Sequence, residues 1–124
     1  MKTAEIEING TKHLLCFNLY AVKQCCERYG SFAGIWEALS KENEAERIEE
    51  SLWIMETMMK GGAMYAKEMG MENAEPLTAG KMQIVCGADF FLGLRSQLMG
   101  AITSGMKADV EVEDPKKPET TQAK

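Results

Sequence analysis

The sequence predicts an α+β protein in which an N-terminal β-hairpin packs on a mostly α-helical body of about four helices. Three observations predict this fold. Apolar and polar residues alternate near the N-terminus, apolar residues then recur at helical spacing, and from residue 107 onward the chain becomes acidic and rich in Pro and Lys. Since 124 residues amount to about one domain, we predict a single globular domain over residues 1–106 and a disordered tail over residues 107–124.

The hairpin is predicted by its turn. Glu and Ile alternate over residues 5–8, and Asn9-Gly10, the strongest short-range hairpin signal, follows them. A two-residue loop at this point pairs Ile8 with Thr11, Glu7 with Lys12, Ile6 with His13 and Ala4 with Leu15. One face of the hairpin is then apolar, and it has to be covered because an isolated two-stranded ribbon is only marginally stable in water.

Two short helices are predicted next. The first has Asn18 as its N-cap and ends at Gly30. Its apolar stripe comprises Leu19, Val22, Cys26 and Tyr29. The second helix is capped by Ser31 and extends to Leu39.

Two longer helices complete the predicted body. One begins near Asn43, where residues 43–46 resemble a capping box. Gly61-Gly62 interrupts its pattern, so either the helix ends there or the glycines permit close packing and the helix continues to Met69. Thr78 caps the last helix, whose apolar positions are Met82, Val85, Phe91, Leu94, Leu98 and Ile102.

Charge and motifs argue against several classes of function. The net charge of −5 disfavours binding to a nucleic-acid backbone, which requires clustered Lys and Arg. The sequence contains no nucleophile elbow, no phosphate-binding glycine loop and no metal-ligand spacing. We interpret the single histidine, His13, as structural, and the four cysteines as packing residues. The prediction is therefore a protein without enzymatic activity, cofactor or metal.

The chain has no apolar stretch near the roughly 18 residues that span a bilayer, and its N-terminus does not resemble a secretory signal. These observations favour a cytosolic protein without a membrane partner.

Six of the ten methionines lie between residues 55 and 71. Core packing, an adaptable apolar surface for a partner and soft ligation of Cu(I) all use methionine in this way. The copper interpretation is the weakest, because the bulky aromatic residue Tyr65 interrupts the run and Trp53 stands just before it. From helical geometry we nominate four exposed partner-binding candidates, Met55, Met58, Met59 and Tyr65.

The order of features resembles the tail assembly chaperones of long-tailed bacteriophages and of prophages in Gram-positive bacteria. The resemblance covers about residues 4–105 and rests on local strings in a fixed order. These strings are residues 5–10, residues 14–18, residues 29–32, residues 35–39, residues 61–66 and residues 76–78.

The resemblance implies a non-enzymatic protein of the bacterial host cytoplasm that is absent from the mature virion. It would bind the tape measure protein, keep it soluble and help the major tail tube protein to assemble around it, with homo-oligomers as a further possibility. In many members a translational frameshift adds a second domain, and here an A-rich slippery site encoding Lys116-Lys117 is the expected position. A structural tail component retained in the virion is the alternative.

Overall fold

The computed structural model describes residues 1–107. It contains a two-stranded antiparallel sheet followed by five helices, which agrees with the predicted α+β class. The tail predicted to be disordered lies outside the described residues, except for Lys107. The elements are β1 (Ala4–Ile8), β2 (Thr11–Leu15), α1 (Leu19–Tyr29), α2 (Gly34–Leu39), α3 (Glu44–Glu68), α4 (Ala79–Val85) and α5 (Ala88–Gly105).

The predicted register of the hairpin is confirmed at every pair. Asn9 and Gly10 both have positive φ, 51° and 83°, as the primed two-residue turn requires. Ile6 and Ile8 of β1 are buried on the face that meets the helices, while Glu5 and Glu7, which alternate with them, are exposed to solvent. The alternation in the sequence therefore specifies which face of the hairpin is covered.

The predicted caps of α1 and α3 are confirmed. The Asn18 side chain accepts a hydrogen bond from the Ala21 amide at 3.1 Å, and the Asn43 side chain accepts one from the Glu46 amide at 2.9 Å. Gly30 ends α1 in the left-handed conformation, with φ of 84°. These polar side chains satisfy amides that the first helical turn leaves unpaired.

Helix α2 begins later than predicted. The Ser31 hydroxyl does accept a hydrogen bond from the Gly34 amide at 3.2 Å, but the helix starts at Gly34. Phe32 therefore lies before the helix, in the turn that joins it to α1.

Helix α3 continues through Gly61-Gly62, so the close-packing alternative is confirmed. A Cβ atom on Gly62 would lie 2.6 Å from the Leu14 carbonyl carbon and closer still to its oxygen. The missing side chains let β2 and the residues after it approach the helix. Two hydrogen bonds join the segment after β2 to α3: Cys16 donates its amide to the Met58 carbonyl at 3.1 Å, and Asn18 donates its side-chain amide to the Gly61 carbonyl at 3.2 Å. The glycine pair thus forms the seam between the hairpin and the long helix.

The predicted last helix is divided in two, which raises the number of helices from about four to five. The Thr78 cap is present, since its hydroxyl accepts a hydrogen bond from the Lys81 amide at 3.0 Å. At Cys86 and Gly87, however, the backbone is extended, with ψ of 143° and −177°. The chain turns there and α5 starts in a new direction.

A single hydrophobic cluster draws buried side chains from all seven elements, from Ile6 and Ile8 in β1 to Leu98 and Ile102 in α5. A second, smaller cluster consists of Leu14, Cys16 and Ala66. Strand β2 therefore packs both of its faces, one against the main core and one against the C-terminal part of α3.

No helix within residues 1–107 combines the length and the apolar character needed to cross a bilayer.

Candidate partner-binding surfaces

The nomination of exposed methionines on α3 is wrong. Met55, Met58 and Met59 are completely buried in the main core. Helix α3 is packed on several sides, by the hairpin and by all four other helices, so an apolar stripe on this helix marks core and not surface. Tyr65 is half-buried against the smaller cluster and lies away from the three methionines.

Core packing, one of the three interpretations of the methionine run, therefore holds for its first half. Met64, Met69 and Met71 in its second half are exposed. The structure does not bring the four nominated residues together into one surface.

An open apolar depression lies where the start of α1 meets the end of α5. We call it the α1–α5 groove; its apolar lining consists of Met1, Phe17, Leu19, Val22, Phe32, Gly105 and Met106. Its volume is about 560 Å³. Three of its side chains are large, apolar and exposed: Leu19 at 85%, Met106 at 60% and Phe32 at 37%. Exposed apolar side chains that converge on one depression are typical of a docking surface.

Local packing holds this groove open. The Asn18 cap places Leu19 at the first position of α1, with its side chain in solvent. On the opposite wall a Cβ atom on Gly105 would lie 2.5 Å from the Phe17 Cβ, so the glycine lets the end of α5 lie against Phe17. The ring centroids of Phe17 and Phe32 are 6.1 Å apart and the ring planes meet at 57°, so the two rings pack against each other.

The groove offers little for polar recognition. Asn18 is the polar side chain in its lining, and both ends of its amide are already engaged, by Ala21 and by Gly61. A ligand in this groove is therefore held mainly by burial of apolar surface.

A second depression lies between α3, α4 and the first turns of α5. We call it the α4–α5 pocket. Its floor consists of the buried residues Leu52, Met82 and Leu94, and its walls include the half-buried residues Ile48, Cys86, Phe90 and Phe91. Its volume is about 320 Å³. The residues at the break between α4 and α5, Cys86, Gly87 and Ala88, line this pocket.

Titratable groups near the interior have structural explanations. His13 is 3% exposed, burial lowers its pKa, and within residues 1–107 its Nδ1 has no hydrogen-bond partner. Burial raises the pKa of the Cys16 and Cys25 thiols to about 11, which keeps them protonated and unreactive. Among the described residues no three His, Cys, Asp or Glu side chains are grouped to hold a metal ion.

Sequence reasoning missed the exposed residues of the groove because it assigned Leu19 to the buried stripe of the first helix. The buried face of α1 is centred on Ala21 and Cys25, and Val22, Cys26 and Tyr29 are only partly covered. The available signal was the cap itself, since a residue directly after an N-cap lies at the rim of the helix where packing is incomplete.

Comparison with protein-family models, with curated proteins and with solved structures found no match to this chain.

Proposed function

We propose that this protein is a non-enzymatic phage tail assembly chaperone that binds the tape measure protein in the cytoplasm of the bacterial host. The order of sequence features over residues 4–105 supports the proposal. The single observation that carries it is the α1–α5 groove, where Leu19, Phe32 and Met106 expose apolar surface around one depression.

The groove suits a client that is long, helical and apolar. Each large apolar side chain buried at an interface contributes about 1.5–3 kcal/mol, and association entropy offsets much of that sum. Three such anchors support a reversible complex, and a chaperone that leaves the finished particle needs reversibility. In this scheme the client's apolar segments are shielded until the major tail tube protein assembles around it.

Co-purification tests the proposal. The protein is expressed with the tape measure protein of its own phage or prophage, and the soluble complex is captured through a tag on the client. Leu19→Ser should weaken capture about tenfold or more, because it removes the most exposed apolar side chain of the groove. Ile84→Ser is the matched control, since Ile84 is 82% exposed but lies outside the groove.

Two results would overturn the proposal. Equal capture of the Leu19→Ser and Ile84→Ser variants would show that the groove is not the binding site. Mass spectrometry that finds the protein in purified particles at the abundance of tail proteins would identify it as a structural tail component.

A further inference from the structure

We propose that residues 108–113 of this chain, which we call the acidic segment, dock in the α1–α5 groove and cover it until a partner displaces them. Docking of the acidic segment is independent of the proposed function. Only the competition between this segment and a client rests on that function.

The acidic segment begins at the groove. Gly105 and Met106 line the groove at the end of α5, and Lys107 is the last residue that the structure describes. The Lys2 amide donates to the Ser104 carbonyl at 3.1 Å, which holds the end of α5 beside the N-terminal residues. The chain that follows Lys107 therefore starts at one wall of the groove.

The residue pattern of the acidic segment fits an apolar groove. Ala108, Val110 and Val112 alternate with acidic residues at positions 109, 111 and 113. Alternate side chains of an extended chain point to the same side, so three apolar side chains can face the groove while three carboxylates face solvent. After Val112 the sequence contains no further Val, Leu, Ile, Met or aromatic residue, which identifies this segment as the part of the tail with apolar side chains to bury.

Reach and connectivity favour this segment over a separate peptide. An extended chain advances about 3.3 Å per residue, so Val110 can lie roughly 13 Å from Met106 and Val112 roughly 20 Å from it. Leu19 and Phe32 belong to the same depression as Met106. Because the segment is joined to α5, docking costs none of the translational and rotational freedom that a separate peptide loses, and its local concentration is in the millimolar range.

Charge around the groove suits an acidic occupant. No Asp or Glu is among the residues that line the groove, and none directly precedes or follows a lining residue in the sequence. Three lysines do adjoin lining residues: Lys2, Lys23 and Lys107. The Lys23 side chain is 73% exposed, and its ion pair with Glu27 is long at 3.9 Å. The carboxylates of a docked segment are therefore attracted to the rim and meet no like charge there.

Docking of the acidic segment has a consequence for partner binding. The docked segment covers Leu19 and Phe32, two of the apolar side chains on which the proposed function relies. A client then binds only those molecules in which the groove is open, and its apparent affinity falls in proportion to their fraction.

Disulfide cross-linking in the full chain tests the docking. Val110→Cys is combined with Leu19→Cys, and Cys26→Ser with Cys86→Ser removes the partly exposed native thiols. Oxidised glutathione should join the two introduced cysteines within one chain at least about tenfold faster than in the control pair of Val110→Cys with Ile84→Cys. Ile84 is 82% exposed and lies outside the groove, and peptide mapping by mass spectrometry identifies the bond.

Alkylation of a single introduced cysteine provides a second measurement. Leu19→Cys, in the same background without the native thiols at 26 and 86, reports how far the groove is covered. Val110→Asp with Val112→Asp should raise the rate of alkylation by iodoacetamide about fivefold, because the groove is then open in most molecules. Thr120→Asp with Thr121→Asp is the matched control, since it adds the same charge beyond the acidic segment and should leave the rate unchanged.

Three results would overturn the proposal. The first is cross-linking to Leu19→Cys no faster than to Ile84→Cys. The second is a disulfide between two chains in place of one within a chain, which would assign the groove to a second copy. The third is equal alkylation in the two aspartate variants.

Client capture separates this proposal from the proposed function. Failure of capture together with fast cross-linking within the chain would refute the proposed function and leave the docked segment intact. Normal capture without that cross-link would do the reverse. If both hold, Val110→Asp with Val112→Asp should capture more client than the threonine control.

Discussion

Replacing Gly62 by alanine should destabilise the protein, although the same change in an exposed helix normally stabilises it. In an unobstructed helix interior alanine is favoured over glycine by about 1 kcal/mol. At Gly62 the new methyl group would meet the Leu14 carbonyl, with the carbonyl carbon at 2.6 Å. A backbone carbonyl within a paired strand cannot rotate away as the end of a flexible side chain can.

The magnitude follows from these two opposing effects. Inserting a methyl group into a well-packed site costs about 1–3 kcal/mol, and a backbone obstacle puts Gly62 at or above the upper end of that range. After the helical preference of alanine is subtracted, we expect a net loss of about 2 kcal/mol in the free energy of unfolding. For a chain of this length that corresponds to a fall in Tm of roughly 8 °C.

Urea unfolding followed by circular dichroism at 222 nm measures the effect. Gly100→Ala is the matched control, because Gly100 is in the interior of α5, is exposed and has nothing within 4 Å of a Cβ atom. The control should raise the free energy of unfolding by about 0.5–1 kcal/mol. If Gly62→Ala is as stable as the control, the seam between the hairpin and α3 is not closed as described and the reasoning fails.

Three further predictions concern buried groups. Ellman's reagent should modify the half-buried thiols of Cys26 and Cys86 in the folded protein and should spare Cys25, because burial raises the pKa of the Cys25 thiol to about 11. Labelling of Cys25 before the protein unfolds would contradict this. Burial lowers the pKa of His13 below 6.5, so the unfolded chain takes up the proton at a higher pH than the folded protein does. The free energy of unfolding should therefore fall as the pH drops from 7 through 6.5. His13→Gln should reduce this pH dependence in urea unfolding at pH 7 and pH 5.5, and an unchanged pH dependence would argue against the reasoning. Glu50→Gln should cost about 1 kcal/mol in the same assay, because Glu50 accepts hydrogen bonds from two side chains of α1, and a change near zero would mean that solvent replaces them.

The hairpin and the helix starts could be predicted because local chemistry determines them. Asn9-Gly10 adopts positive φ readily, and a two-residue turn leaves one possible register. Asn18, Asn43 and Thr78 are short polar side chains placed before apolar periodicity, and each caps its helix. Such signals act within four residues and do not need the tertiary structure.

The break between α4 and α5 was missed although the apolar spacing shifts there. Val85 and Phe91 are six residues apart, which places them about 120° apart around a single helix, but Gly87 alone does not require a break, since Gly61-Gly62 lies inside an unbroken helix. The two glycine sites differ in their tertiary contacts. Close approach of β2 supports α3 at its glycines, whereas α5 must turn to place Leu94 and Leu98 in the core.

The candidate site was less predictable than the fold. Whether a methionine is buried depends on how many neighbours its helix has, and α3 has neighbours on several sides, so Met55 and Met58 became core. Leu19 is an ordinary apolar residue in an apolar pattern, and its exposure follows from where α1 begins relative to α5. Apart from the N-cap before Leu19, long-range packing of this kind leaves no local trace in the sequence.

Helix α5 contributes residues to two separate apolar openings and, as a rigid element, fixes the distance between them. It contributes Leu94 to one near its beginning and Gly105 to the other at its end, and eleven residues of α-helix separate these positions by roughly 16 Å. An extended polypeptide that reaches both openings gains avidity, because the first contact raises the local concentration at the second to the millimolar range. A long polypeptide that contacts both openings would then bind more tightly than a short peptide that reaches only one of them.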